Sequence, residues 1–97
     1  MPYQLTRLKV EDYAKWKPVF DEVRTSRMVI GCKSTRLFRS ADKPNEIIVI
    51  REWDNLENAR RFVQSEDLRK AMERAGVADR PDVYYLDEVE LLGEHSR

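Results

Sequence analysis

The spacing of apolar residues switches between alternation and a three-to-four-residue repeat, and each switch marks a new element. Residues 3–10, YQLTRLKV, are rich in β-prone and apolar positions and run into Glu11-Asp12, a pair typical of a helix start, so they read as a first strand. Tyr13, Trp16, Phe20 and Val23 then recur at helical spacing as one apolar stripe, while Lys15, Lys17, Asp21 and Arg24 lie elsewhere on the same helix. Pro18 falls inside it, and a mid-helix proline loses a hydrogen bond and clashes one turn back at about 3 kcal/mol, which predicts a kink or a restart. Gly31 closes the segment. Residues 32–40 and 46–53 read as two strands flanking ADKPNE, whose Asp, Pro and Asn make a turn between antiparallel partners.

In DNLENARRFVQS, Asp54 and Glu57 have capping-box spacing, and Leu56, Ala59, Phe62 and Val63 line one face of a second helix. Ser65 is placed to cap a further helical piece in which Leu68, Ala71, Met72 and Ala75 share a side, ended by Gly76 as a left-handed cap and then by Pro81. DVYYLDEVELL supplies the last strand, and GEHSR a frayed tail. The order βαββααβ predicts an α+β, ferredoxin-like domain: a four-stranded antiparallel sheet with right-handed crossovers and helices on one face. We expect one domain over residues 1–92 and a flexible tail over 93–97.

The third strand, EIIVIREW, is apolar on both sides. Ile47, Val49 and Trp53 point one way and Ile48 and Ile50 the other. Helices in so short a chain cover only one face of the sheet. The other would leave Ile48 and Ile50 in water beside Leu and Tyr groups of the last strand, Leu86 among them, as several hundred Å² of apolar surface. A second copy placed sheet to sheet removes that surface, so a homodimer is expected. The alternative is that the tail or long Lys and Arg stems cover it.

Composition narrows the partners. Apolar residues at 41% and charged residues at 37% suit a folded chain with charges on its helix exteriors. Eighteen basic and eighteen acidic residues cancel, so no positive field exists for a nucleic acid or an anionic membrane, and neither partner is expected. No apolar run approaches the roughly 20 residues of a membrane span. The polar beginning lacks a signal-peptide core, and a single Cys32 fits a reducing compartment, so a cytoplasmic location is expected. Cys32 itself reads as a small half-buried strand residue.

Taken together, YAKWKPVFDE, the run from RLFRSADKPNE through IIVIREWDNLENARRFVQSEDLRKAMERAGV, and PDVYYLDEVE make the chain resemble the dimeric α+β barrel superfamily. Within it, the similarity is to the antibiotic biosynthesis monooxygenase-like domains, which are described as monooxygenases or cyclases. The resemblance spans nearly all of residues 3–92 and is densest from Glu52-Trp53 through Ala59, Phe62, Ser65, Leu68 and Met72. It implies the fold and the dimer. For chemistry it implies a range: cofactor-independent oxygenases, haem-degrading enzymes, lactone isomerases, decarboxylases and members without a known reaction.

The residues narrow that range. Haem-degrading members hold iron through a histidine, and the one histidine here is His95 in the tail. No His pair, nucleophilic triad or glycine-rich phosphate loop can be assembled, so neither metal nor cofactor is expected. What the resemblance implies instead is an aromatic pocket between helices and sheet, of the kind cofactor-free oxygenases use to hold an electron-rich ring and its anion. Candidate walls are Tyr13, Trp16, Phe20, Trp53, Met72 and Tyr85, although an aromatic stripe at helical spacing serves equally as plain core. Arg51 shares the side of Val49 and Trp53. Pairing with a carboxylate is expected for it, with snorkelling to the edge or contact with a ligand anion as alternatives. Arg7 and Arg36 join it in an anion site only if the hairpin register puts them on the same face.

Two readings follow: a homodimeric domain acting on a small aromatic or polyketide-like ligand as an oxygenase, isomerase or cyclase, and a non-catalytic dimerisation or ligand-sensing module. A cavity of at least about 300 Å³ with a polar group inside favours the first, and a filled interior the second. For general base catalysis, only Asp87 or Glu88 is placed to enter such a pocket, although carboxylates in that position more often face solvent.

Overall fold

The computed structural model describes residues 1–93, so His95 and most of the expected tail lie outside the described residues. The sheet is built from β1 (Pro2–Lys9), β2 (Cys32–Arg39), β3 (Glu46–Trp53) and β4 (Asp82–Asp87), all antiparallel, in the order β2-β3-β1-β4. The helices are α1 (Tyr13–Arg24), α2 (Leu56–Val63) and α3 (Glu66–Ala75), with a short 3-10 turn at Arg27–Val29. This is the ferredoxin-like α+β arrangement expected from the element order.

Local chemistry sets the element ends. The Asp12 side chain caps α1 by accepting from the Ala14 N–H at 3.0 Å, and the Ser65 hydroxyl does the same for α3 at the Leu68 N–H, also 3.0 Å. Gly76 ends α3 in the left-handed conformation, φ +76°, as its position predicted. The start of α2 differs from expectation. Its cap is Asn55, whose Oδ1 accepts from the Asn58 N–H at 2.8 Å, while the Asp54 carboxylate takes the Asn58 side-chain amide instead. α1 runs unbroken through Pro18, so the expected restart does not occur. The carbonyl that loses its donor belongs to Ala14, which is exposed in the first turn, where an unpaired carbonyl costs little. β4 is shorter than DVYYLDEVELL implied and stops at Asp87, because β1 offers no further partner beyond Pro2.

Two apolar clusters lie between sheet and helices. One joins Leu8, Val10, Trp16, Phe20, Ile47, Val49 and Ala75; the other joins Val23, Trp53, Ala59, Phe62 and Ala71. In β3, Ile47, Val49, Arg51 and Trp53 are buried against the helices, whereas Ile48 and Ile50 are half-buried on the face that no helix covers. Cross-strand pairing puts Leu5 beside Ile50, Phe38 beside Ile48, and Tyr84 beside Leu5 on that open face. Phe38, Tyr84 and Leu86 are exposed there.

Candidate ligand-binding site

The two clusters do not meet everywhere. Between them the helices and the sheet enclose a cavity of about 690 Å³, open to solvent. Trp16 and Phe20 of α1 form part of its wall, stacked with ring centres 4.9 Å apart, and Met72 of α3 forms another. Phe62, buried at the end of α2, contributes from the second cluster. The sheet supplies the floor: Gln4, Thr6, Val49, Arg51 and Val83.

Two polar side chains in that floor are buried and incompletely bonded. Gln4 is 1% exposed and faces Arg51 directly across the β1–β3 pairing. Its Oε1 accepts from the Trp53 indole Nε1 at 3.0 Å, and its Nε2 has no partner. Arg51 is 6% exposed, and its Nε also lacks an acceptor. The guanidinium carbon stands 4.9 Å from the centre of the Phe62 ring and 5.6 Å from that of Phe20. Burial pushes Arg51 down to about 10, so it remains protonated at neutral pH.

The carboxylate expected to pair with Arg51 is absent among the described residues. Nor does an arginine cluster form. Arg7 opposes Ile48 and Arg36 opposes Ile50, which puts both on the open face of the sheet, away from Arg51. Arg7 is bonded there to Glu46 at 2.9 Å and lies 3.5 Å from Asp82, and the Arg36 guanidinium lies over the Phe38 ring at 5.4 Å.

Of the residues predicted to form a pocket, Trp16, Phe20, Arg51 and Met72 line the cavity, and Tyr13, Trp53 and Tyr85 do not. Tyr13 is turned to the edge of the first cluster under the Arg39 guanidinium, 4.5 Å from its ring centre. Trp53 is fully buried with its N–H committed to Gln4, and Tyr85 packs on the second cluster beneath Arg60 at 5.3 Å. Asp87 and Glu88 are exposed and outside the cavity; Glu88 accepts from the Tyr3 hydroxyl at 3.1 Å. The carboxylate that does reach the rim, Glu66, is hydrogen-bonded to Arg69, which holds it below the usual carboxylate range. Gln4 was missed. Its signal was a polar residue at an inward position of YQLTRLKV, but that strand is nearly as apolar outward as inward, and its central place in the sheet is not written locally.

Ile48, Ile50 and Leu86, the predicted interface residues, do share one surface: all three lie on the open face of the sheet. No helix among the described residues is long and apolar enough to cross a membrane.

The profile of the antibiotic biosynthesis monooxygenases matches residues 6–74, which include the second half of β1, α1, the β2–β3 hairpin with Arg51, α2 and most of α3, and begin just after Gln4. The chain belongs to the antibiotic biosynthesis monooxygenase family. Solved structures agree on the fold of this monooxygenase-family chain. SnoaB, a cofactor-independent oxygenase from Streptomyces nogalater, superposes with a TM-score of 0.76 at 18% identity, over 96% of this chain and 97% of its own. A protein of Bordetella bronchiseptica assigned to the same family gives 0.76 at 21% identity, over 92% and 97%. The monooxygenase ActVA-Orf6 of Streptomyces coelicolor, solved in complex with nanaomycin D, gives 0.71 at 14% identity, over 97% and 92%. No curated protein matches this family member's sequence at a significant level.

Proposed function

We propose that this protein is a cytoplasmic homodimer that binds a small aromatic or polyketide-like substrate in the helix-to-sheet cavity and oxygenates it without a cofactor. The observation that carries the reading is the cavity itself: about 690 Å³, walled by the stacked Trp16 and Phe20 and floored by polar groups with bonding capacity to spare. That volume falls within the range of ordinary small-molecule sites, and aromatic walls favour a planar guest. Family membership adds weight, since relatives of this fold include a cofactor-independent oxygenase and a nanaomycin D complex. Replacing a ring CH₂ by C=O consumes one dioxygen and releases one water, so the reaction balances without another reductant.

The test is incubation of the purified protein with 1,8-dihydroxyanthrone in air, following dioxygen uptake and product mass. Protein-dependent uptake, with product in which two hydrogens are exchanged for one oxygen, is expected. A rate equal to that of the protein-free control would overturn the oxygenase assignment.

The homodimer rests on the open sheet face, where Leu5, Phe38, Ile48, Ile50, Tyr84 and Leu86 form a continuous apolar surface that a second copy would cover. Light scattering at micromolar concentration should return twice the chain mass, and Ile50→Lys should halve it. A single-chain mass for the wild type would sink the dimer.

One observation favours a second reading, a ligand-sensing module without catalysis. The sole carboxylate among the cavity-lining residues is Glu66, already engaged by Arg69, so the wall offers no free general base. Tight binding of the anthrone with no oxygen uptake would be its signature.

A further inference from the structure

We propose that Gln4 and Arg51 form a two-donor anchor for an anionic oxygen, so that the cavity selects aromatic ligands bearing a carboxylate or an enolate on one edge over neutral rings of the same shape. The inference rests on the cavity being a ligand site and goes beyond it by naming the charge of the guest and the atoms that read it.

Three observations converge. The two side chains are direct partners across β1 and β3, a placement that sets their Cβ atoms about 4.5–5.5 Å apart, within reach of one oxygen or of the two oxygens of one carboxylate. Each has a donor with nothing to bond: Nε2 of Gln4 and Nε of Arg51. Both residues line the cavity although the side chains are almost wholly removed from solvent, at 1% and 6% exposure.

The charge balance gives the sign. A buried guanidinium with no carboxylate partner among the described residues is an uncompensated cation, and the rings of Phe20 and Phe62 flank it without neutralising it. A neutral acceptor would satisfy the bonding of both donors but leave the cation. An anionic oxygen does both. Trp53 makes the anchor directional: its N–H occupies Oε1 of Gln4, which fixes the amide so that the NH₂ end is the one left for the cavity.

The experiment is calorimetric titration at neutral pH with 2-naphthoate and 2-naphthamide, which match in shape and differ in charge, and with 2-hydroxy-1,4-naphthoquinone and its methyl ether as the enolate pair. The wild type should bind each anion at least about tenfold more tightly than its neutral counterpart, as expected for charge-assisted hydrogen bonds in a desolvated site. A preference confined to the naphthoate pair identifies a carboxylate reader, and one confined to the quinone pair an enolate reader; either supports the anchor. Arg51→Met should erase the preference. Gln4→Glu keeps an acceptor for Trp53 but replaces the free donor with an internal counter-ion for Arg51, so it should lose the anions while retaining 2-naphthamide, and it answers the question even if Arg51→Met does not fold. Equal wild-type affinity within both pairs overturns the anchor and leaves the cavity as a neutral aromatic site. Failure of all four compounds to bind removes the ligand site and the anchor together. Unchanged naphthoate affinity in Gln4→Glu also overturns the anchor.

Discussion

The indole N–H of Trp53 donates to Oε1 of Gln4 at 3.0 Å, joining the end of β3 to the start of β1 across 49 positions of sequence. Both side chains are buried, so the bond has no water to replace it. Trp53→Phe should therefore destabilise the protein by about 1–3 kcal/mol for the orphaned carbonyl alone, with lost ring packing added. Urea denaturation with an unchanged m-value and a lower midpoint is the expected result. A midpoint equal to the wild type would show that Gln4 finds another donor.

Arg51 carries the opposite prediction, because the fold buries its charge without a carboxylate partner among the described residues. Burial holds its folded value at about 10, below the ordinary arginine value, a difference worth roughly 3 kcal/mol between protonation states. The unfolded chain binds this proton more tightly, so the penalty is fully present below about pH 10 and is relieved as pH rises through the folded value toward the ordinary arginine value. At neutral pH, Arg51→Met should raise unfolding stability by about 1–3 kcal/mol while removing the cation from the cavity. A urea midpoint lower than wild type would contradict the account of Arg51 as an uncompensated charge.

On the open face, Arg7 links three strands by bonding Glu46 of β3 and approaching Asp82 of β4. The guanidinium holds the Glu46 carboxyl below its ordinary 4.5. Because the folded value is the lower one, this contribution is complete above the ordinary value and is lost as pH falls through the folded one. Glu46→Gln should make unfolding stability less sensitive to acid between about pH 5 and pH 3, a window set by carboxylate titration. Urea midpoints measured across that range for both proteins decide it; parallel curves would count against the pair.

Gly31, just before β2, has φ +91°, and a Cβ there would lie 2.6 Å from Oδ1 of Asp54 and 2.7 Å from Nδ2 of Asn58. Gly31→Ala combines an unfavourable backbone with a clash against the Asp54–Asn58 hydrogen bond that braces the start of α2. A loss of at least about 1–2 kcal/mol is expected from the backbone alone. Thermal unfolding should show a clearly lower midpoint, and one within a degree of wild type would mean that the turn readily reshapes.

The elements of this protein were legible in its sequence because they depend on near neighbours. The Tyr13-Trp16-Phe20-Val23 stripe, the Ser65 cap and the Gly76 stop each concern groups within a few residues of one another, and the two-sided apolar character of EIIVIREW needed only alternation. Near neighbours leave a choice open where two similar groups compete, as Asp54 and Asn55 do for the cap of α2, which Asn55 takes.

The site was decided elsewhere. Which face Arg36 takes depends on a hairpin register that includes an irregularity between Cys32 and Ser34, and no short window of sequence reports it. Whether Arg51 meets a carboxylate, and whether Trp53 spends its N–H on a ligand or on Gln4, depends on side chains brought together only when β1 enters the sheet between β3 and β4. Periodicity along the chain therefore determined the strands, the helices and the apolar faces of this protein. The bare donors at the cavity floor were settled by the tertiary structure, because hydrogen bonding and charge compensation are properties of what lies opposite in space.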